Sequence, residues 1–462
     1  MSPNSFVFVV SRITHYLENI AGFTRGILLL LVFQAGAEAQ ILNPPPVLDQ
    51  VEPVTRQVER GVERVTERVE QRVRERAQDA LETVDTQSVT ENLDPLLALP
   101  RQLPILDLNG ATAFVDVEVE DGWRAVDRQW LVMLQPGELP SLQQPDIEIL
   151  DQTDFADLGL SLLRFRVPDQ LNSRDALRQV LPAPLVDRLD RNHIYNPQNA
   201  AAPDASPETA PRRPVCDRPL KIGMVDTAIQ TDHPAFVSST IIERSFLEEQ
   251  IEQPHAHGTA VAGLLVAEDG KLPPRLPQAT LYNASVFYAR TQYAQGATMM
   301  HLVRGLNWLV QQDVSVVNLS LAGPDNRILA AVIARLTNQG KVIVAAAGNQ
   351  GPAAPPLYPA AYDGVIAATA VDGKQRIYRW ANRGDHVDFA AHGVSVLTAR
   401  SGGVFGRESG TSMAAPVVSA FAACELLANG GRVSEAMQAL ANKAVDLGDA
   451  GRDSVFGYGL LQ

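Results

Sequence analysis

The spacing of apolar positions changes character twice along the chain. Val51, Val62, Val73 and Val84 recur every eleven residues, with Val54, Val58, Val65, Val69, Ala77 and Leu81 between them. An eleven-residue repeat corresponds to about 3.67 residues per turn, so this stretch predicts one long helix with a nearly straight apolar stripe. Arg60, Arg64, Arg68, Arg72 and Arg76 interleave with Glu59, Glu63, Glu67, Glu70 and Glu75, which gives the helix a solvated, salt-bridged surface. Such a helix serves as a stalk, self-associates, or packs on its own chain. From 115 to 195 the pattern turns strand-like: 129–134, 146–150 and 160–167 read as strands, and 173–181 as a helix capped by Ser173. Beyond 216, short runs with apolar centres (KIGMVD at 221–226, VSVVNLSLAG at 314–323, KVIVAAAGNQG at 341–351) alternate with small-residue helices. Strands apolar on both faces and separated by helices predict an open parallel sheet covered on both sides.

Composition narrows the setting. At 462 residues the chain exceeds one core, and a formal charge of -14 argues against nucleic acid or anionic membrane as a partner. Arg12 and Arg25 precede ILLLLVF at 27–33 and then Ala37-Glu38-Ala39. A charged region, a short apolar core and an A-x-A site read as a signal peptide over 1–39 of an exported bacterial precursor. The destination is the periplasm or the exterior, with retention as a signal-anchor the alternative. The core falls short of the roughly 20 apolar residues of a membrane-spanning helix. Region 40–100 holds the long helix, 110–195 a small α+β domain, and 196–215 (Pro/Ala-rich, without periodicity) an exposed linker. Cys216 and Cys424 are the only cysteines. Cys216 lies on the run leading into Asp226 and Cys424 on the helix begun at Ser412, so both thiols retreat a similar distance from those residues. A disulfide between them and two separate buried thiols both remain open.

The chemistry concentrates in three motifs and a fourth that supports them. ESGTSMAAPV at 408–417 leads through Gly410, which supplies backbone freedom, into a helix of alanines. Ser412 falls at that helix's N-terminus, where free N–H groups and the dipole favour developing negative charge. A nucleophilic serine needs a base, and the base an orienting acid. His257 opens HGTAVAG, and Asp226 closes an apolar strand. Asn349 follows a buried strand and a run of alanines.

These motifs resemble those of the subtilisin-like serine proteases, in the chain order acid, histidine, serine that this family shows. The resemblance covers roughly 219–462 and implies a subtilisin-like α/β domain at 216–462. It implies a catalytic triad of Asp226, His257 and Ser412 and an oxyanion hole at Asn349. It also places Ser320, Leu321, Ala322 and Gly323 along bound substrate, an extended peptide added as a strand. No cofactor and no metal is implied, and the stretch between Gly263 and Leu281 lacks the Asn-rich loop that binds calcium in many relatives. Ala228 and Ala260 depart from the usual glycine and histidine without touching a catalytic atom. Leu357 replaces a small residue at the floor of the pocket for the side chain before the cut, and Gln350 replaces an acid, which suggests small or medium apolar side chains there. The 110–195 region resembles the propeptide that precedes such domains, its tail directed into the active site, and implies intramolecular inhibition. The expected function is an exported serine endopeptidase acting on protein or peptide. The alternatives are a protease-fold binding or assembly module, and a protease limited to processing itself.

Overall fold

The computed structural model of the chain describes residues 99–198, 213–248, 250–268, 273–291 and 294–462. The signal peptide and the long helix expected before residue 99, and residues 199–212 of the linker expected over 196–215, lie outside the described residues. The first described stretch builds an antiparallel layer. It contains β1 (Gln102–Leu106), β2 (Thr112–Glu118), β3 (Arg124–Leu134), β4 (Glu148–Phe155), β5 (Leu160–Arg166) and β6 (Leu189–Pro197). Helices α1 (Arg174–Val180) and α2 (Ala183–Val186) lie between β5 and β6. Ser173 caps α1, its side chain accepting from Ala176 N, as its position before the helix predicts. Strand alternation gives the sheet two apolar faces. Trp130, Val132, Leu163 and Phe165 pack on Leu177, Leu185 and Leu189, while Leu131, Leu160 and Leu162 face the rest of the molecule.

The remainder is the parallel sheet that the apolar runs predict. Its strands are β7 (Leu220–Asp226), β8 (Thr240–Ser245), β9 (Ala279–Ser285), β12 (Val316–Leu319), β14 (Val342–Ala346), β15 (Val365–Val371), β16 (Val387–His392) and β19 (Leu460–Leu461). The order is β19-β16-β15-β14-β12-β7-β9-β8. Short strands β10 (Tyr288–Ala289), β11 (Gln295–Thr298) and β13 (Leu321–Ala322) belong to the antiparallel layer instead, and β17 (Val396–Arg400) pairs with β18 (Val404–Glu408).

Alternate residues of each parallel strand feed opposite cores. Ile222, Met224, Val316, Val344 and Ile366 meet α3 (Ala256–Val266), α6 (Thr411–Ala428) and α7 (Val433–Lys443). Val225, Val317, Leu319, Ile343 and Ala345 meet α4 (Met299–Gln311) and α5 (Arg327–Asn338). Helix α6 is long and apolar enough to cross a membrane by length and composition, but it is largely buried as a core helix. Both layers belong to one unit, Pro100–Gln462, and the antiparallel layer shares the α4–α5 core. A disulfide joins Cys216 to Cys424, with Cα atoms 6.0 Å apart, tying the lead-in of β7 to α6.

Candidate active site

Because β7 lies where the chain order reverses, the crevice beyond its carboxyl end is the natural place for a site. Asp226 ends β7, and the chain turns at once, Thr227 N donating to Asp226 Oδ1 at 2.7 Å. The first turn of α3 is pressed onto this corner, with Gly258 N donating to Thr227 Oγ1 at 2.7 Å. A Cβ on Gly258 would lie 2.5 Å from Thr227 O and 2.7 Å from Ala228 O, so the approach needs glycine. The close approach sets His257 Nδ1 2.6 Å from Asp226 Oδ1, with both residues buried. Ala228, where the family pattern has glycine, is accommodated, its N–H donating to Pro254 O at 3.1 Å.

Ser412 is the second residue of α6 and is fully buried. Pro416, four residues on, has no N–H, so the carbonyl of Ser412 loses its helical donor. Ser320 Oγ donates to that carbonyl at 3.0 Å instead, and Ser412 Oγ donates back to Ser320 O at 3.0 Å. In this arrangement His257 Nε2 has no hydrogen-bond partner among the described residues.

Asn349 follows β14, and its orientation is set by Thr411. Asn349 Oδ1 accepts from both Thr411 N and Thr411 Oγ1 at 3.0 Å, which leaves Nδ2 as the free donor. That donor meets the backbone carbonyl of Gln198 at 2.7 Å, while Asn349 N donates to Gln198 Oε1 at 3.0 Å. The end of β6 thus lies in the site as an extended peptide. Gln198 N donates to Ser320 O at 3.3 Å, and Leu321 and Ala322 pair antiparallel with Pro197 and Asn196. On the other flank Ala297 and Thr298 pair with Tyr195 and Ile194. Gly323 lies beneath the Tyr195 ring and exchanges backbone hydrogen bonds with Tyr358. The structure therefore brings together Asp226 with His257, and Ser412, Asn349 and Ser320–Gly323 with the chain's own 195–198. Leu357 is buried against Gly348, but the residue whose carbonyl meets Asn349 is the polar Gln198, its side chain held through Asn349 N.

Residues that motif reading missed line the approach of β6. Asp116, fully buried on β2, is paired with Arg124 Nε (2.7 Å) and Arg290 Nε (2.7 Å). Burial raises its carboxyl above the ordinary range although both arginines pull it down. His193 is buried on β6, and its Nδ1 accepts from Asn326 Nδ2 at 2.9 Å. Burial pushes the imidazole down to about 4, against the pull of Asp190 and Glu120. Asp190 Oδ2 caps α5 by accepting from Arg327 N at 3.0 Å. A hydrophilic residue amid a strand is the only local signal these positions carry.

A carboxylate on an imidazole, a serine at a helix N-terminus and an oriented amide facing a peptide carbonyl form the set that acyl transfer requires. The sequence pattern of the Subtilase family matches residues 217–459, and the chain belongs to that family. It is 30% identical to minor extracellular protease Epr of Bacillus subtilis over 53% of this chain and 38% of that protein. It is 31% identical to the major intracellular serine protease of the same species, over 43% of this chain and 66% of the relative. Subtilisin DY of Bacillus licheniformis is 31% identical over 52% of this chain and 88% of its own length. The match to Epr thus spans well under half of that relative.

Proposed function

We propose that this chain is a serine endopeptidase made as a self-inhibited, exported precursor. The observation that carries the reading is the carbonyl of Gln198 resting 2.7 Å from Asn349 Nδ2, beside the serine that opens α6. Ser412 Oγ, turned from Ser320 O to His257 Nε2, attacks a peptide carbonyl as His257 takes the proton. Asp226 holds the imidazole through Nδ1 and stabilises the imidazolium. Asn349 Nδ2 stabilises the oxyanion, the peptide C–N bond breaks as His257 gives its proton to the leaving amine, and water then resolves the acyl-enzyme. The 100–198 layer acts as an inhibitory propeptide, because its last strand occupies the groove by the backbone pairing that a substrate would use. With the carbonyl of Gln198 on the oxyanion donor, the bond that the chain cuts in itself is Gln198–Asn199. Export is supported by the signal-like 1–39 stretch and by the Cys216–Cys424 bridge, which an oxidising compartment maintains.

A fluorophosphonate probe tests the enzyme reading. Processed wild-type protein should be labelled, and Ser412→Ala should not. Absence of label on a folded, processed wild type would favour the binding-module alternative.

A further inference from the structure

Two side chains of the segment held in the groove are read by groups that remain with the protease half when the antiparallel layer leaves. Tyr195 is fully buried, three residues before Gln198. Its ring lies flat on Gly323, where a Cβ would stand 2.5 Å from Cδ1 and 2.7 Å from Cε1, so the floor of this pocket admits a ring only because it is glycine. Its hydroxyl donates to Pro324 O at 2.7 Å. Beside it, Arg290 Nη1 donates to Asn196 Oδ1 at 2.7 Å. The Arg290 side chain is only 3% exposed, and its stem lies against Gly296, where a Cβ would come within 2.7 Å of Cδ. Arg290 Nε is paired with Asp116, which belongs to β2 of the antiparallel layer, and Nη2 has no hydrogen-bond partner among the described residues.

We propose that the protease selects substrates carrying tyrosine four residues before the cut and a side-chain oxygen acceptor, aspartate above asparagine, three residues before it. The tyrosine is read by Pro324 O and Gly323, and the acceptor by Arg290. This rests on the endopeptidase reading above and gives that site its substrate class. A pocket built around a hydroxyl donor discriminates against the analogue without it, because a buried carbonyl is then left unpaired. Phenylalanine fills the same space and leaves Pro324 O without its partner. The preference for aspartate follows from charge. In the intact chain Asp116 neutralises Arg290, and once the layer departs the guanidinium faces the third residue without that carboxylate. A substrate aspartate restores the pair with a charge-assisted bond and can engage the unpartnered Nη2. A lysine there meets a like charge.

The test uses enzyme processed from the full-length chain and fluorogenic peptides built on Tyr-Asn-Pro-Gln. Tyrosine to phenylalanine should lower kcat/KM by about 10–100-fold. Replacing the asparagine by alanine should lower it roughly ten-fold, aspartate should exceed asparagine by a gain that shrinks in salt, and lysine should be the poorest. Arg290→Lys, which keeps the charge and loses the fork, should reduce the advantage of asparagine over alanine while preserving the discrimination between tyrosine and phenylalanine. The wild-type series stands without any variant. Rates within two-fold for tyrosine and phenylalanine, and for aspartate, alanine and lysine, would overturn the proposal while leaving the endopeptidase intact. No hydrolysis of any peptide, together with no fluorophosphonate label, would overturn both.

Discussion

Thr411 shows how much of this site depends on side chains that never meet a peptide. Its N–H and hydroxyl both hold Asn349 Oδ1, so the amide can present only nitrogen to a carbonyl. On the proposed mechanism Asn349 Nδ2 is the oxyanion donor, and Asn349→Ala should cost about 10²–10³ in kcat. Thr411→Val keeps the shape and deletes one of the two holding bonds. It should lower kcat by about ten-fold with KM little changed, and Thr411→Ser should recover most of the loss. Steady-state kinetics on one peptide separate these cases. Gly258→Ala is the corresponding steric test. Its methyl group would strike backbone oxygens of Thr227 and Ala228, forcing α3 off the Asp226 corner and lowering both activity and thermal stability. At this scale the sequence was informative wherever chemistry and backbone demand coincide. Ser412, His257, Asp226 and Asn349 sit in short motifs whose glycines and small residues are required by local approach. Thr411 lay inside the same motif, but its role needs the three-dimensional position of Asn349. Arg290 and Asp116 were not legible, because their meaning is a contact between β2 and the bend after β10, far apart in the chain.

Among the elements, β6 has the largest consequences. It ends one layer and fills the groove of the other, and His193 at its middle is buried with a nitrogen that must accept. The groups around it are Asp190 and Glu120, which favour the imidazolium, and Arg191 and Arg174, which oppose it. With the imidazole held down to about 4 in the folded chain, against about 6.5 unfolded, the unfolded state takes up the proton first as pH falls. The stabilisation is complete above pH 6.5 and is lost between there and 4, on the order of 3 kcal/mol in all. His193→Asn, with an oxygen near the place of Nδ1, should show a smaller fall in Tm between pH 7 and pH 4.5 than wild type when both are made Ser412→Ala to prevent cutting. An identical fall in both would place the acid sensitivity elsewhere. The disulfide is a second element-scale restraint, since it fastens α6 to the lead-in of β7. Cys424→Ala should cost about 2–5 kcal/mol in urea unfolding under oxidising conditions, and reductant should abolish the difference from wild type. The parallel strands were readable as continuous apolar runs because both of their faces are covered. The β1–β2 hairpin was not, since β2 carries the buried carboxylate of Asp116 and exposed positions at Thr112, Ala113 and Glu118. Asn196 and Pro197 read as linker by composition, yet backbone pairing, which composition does not reveal, holds them in a strand.

Across the whole molecule, the order of the layers along the chain carries the function we propose. A sheet that presents its carboxyl ends to a groove is preceded by a layer whose last strand fills that groove, so the first peptide the site meets is its own. The helix expected from the eleven-residue repeat lies before this arrangement and outside the described residues. On this reading Ser412 cuts the chain after Gln198, and intact-mass measurement with N-terminal sequencing of purified wild type and Ser412→Ala follows that bond itself. Wild type should yield a fragment beginning at Asn199, while Ser412→Ala should keep the Gln198–Asn199 bond. A wild type that hydrolyses peptides with that bond whole, or a Ser412→Ala chain cut there equally well, would contradict it.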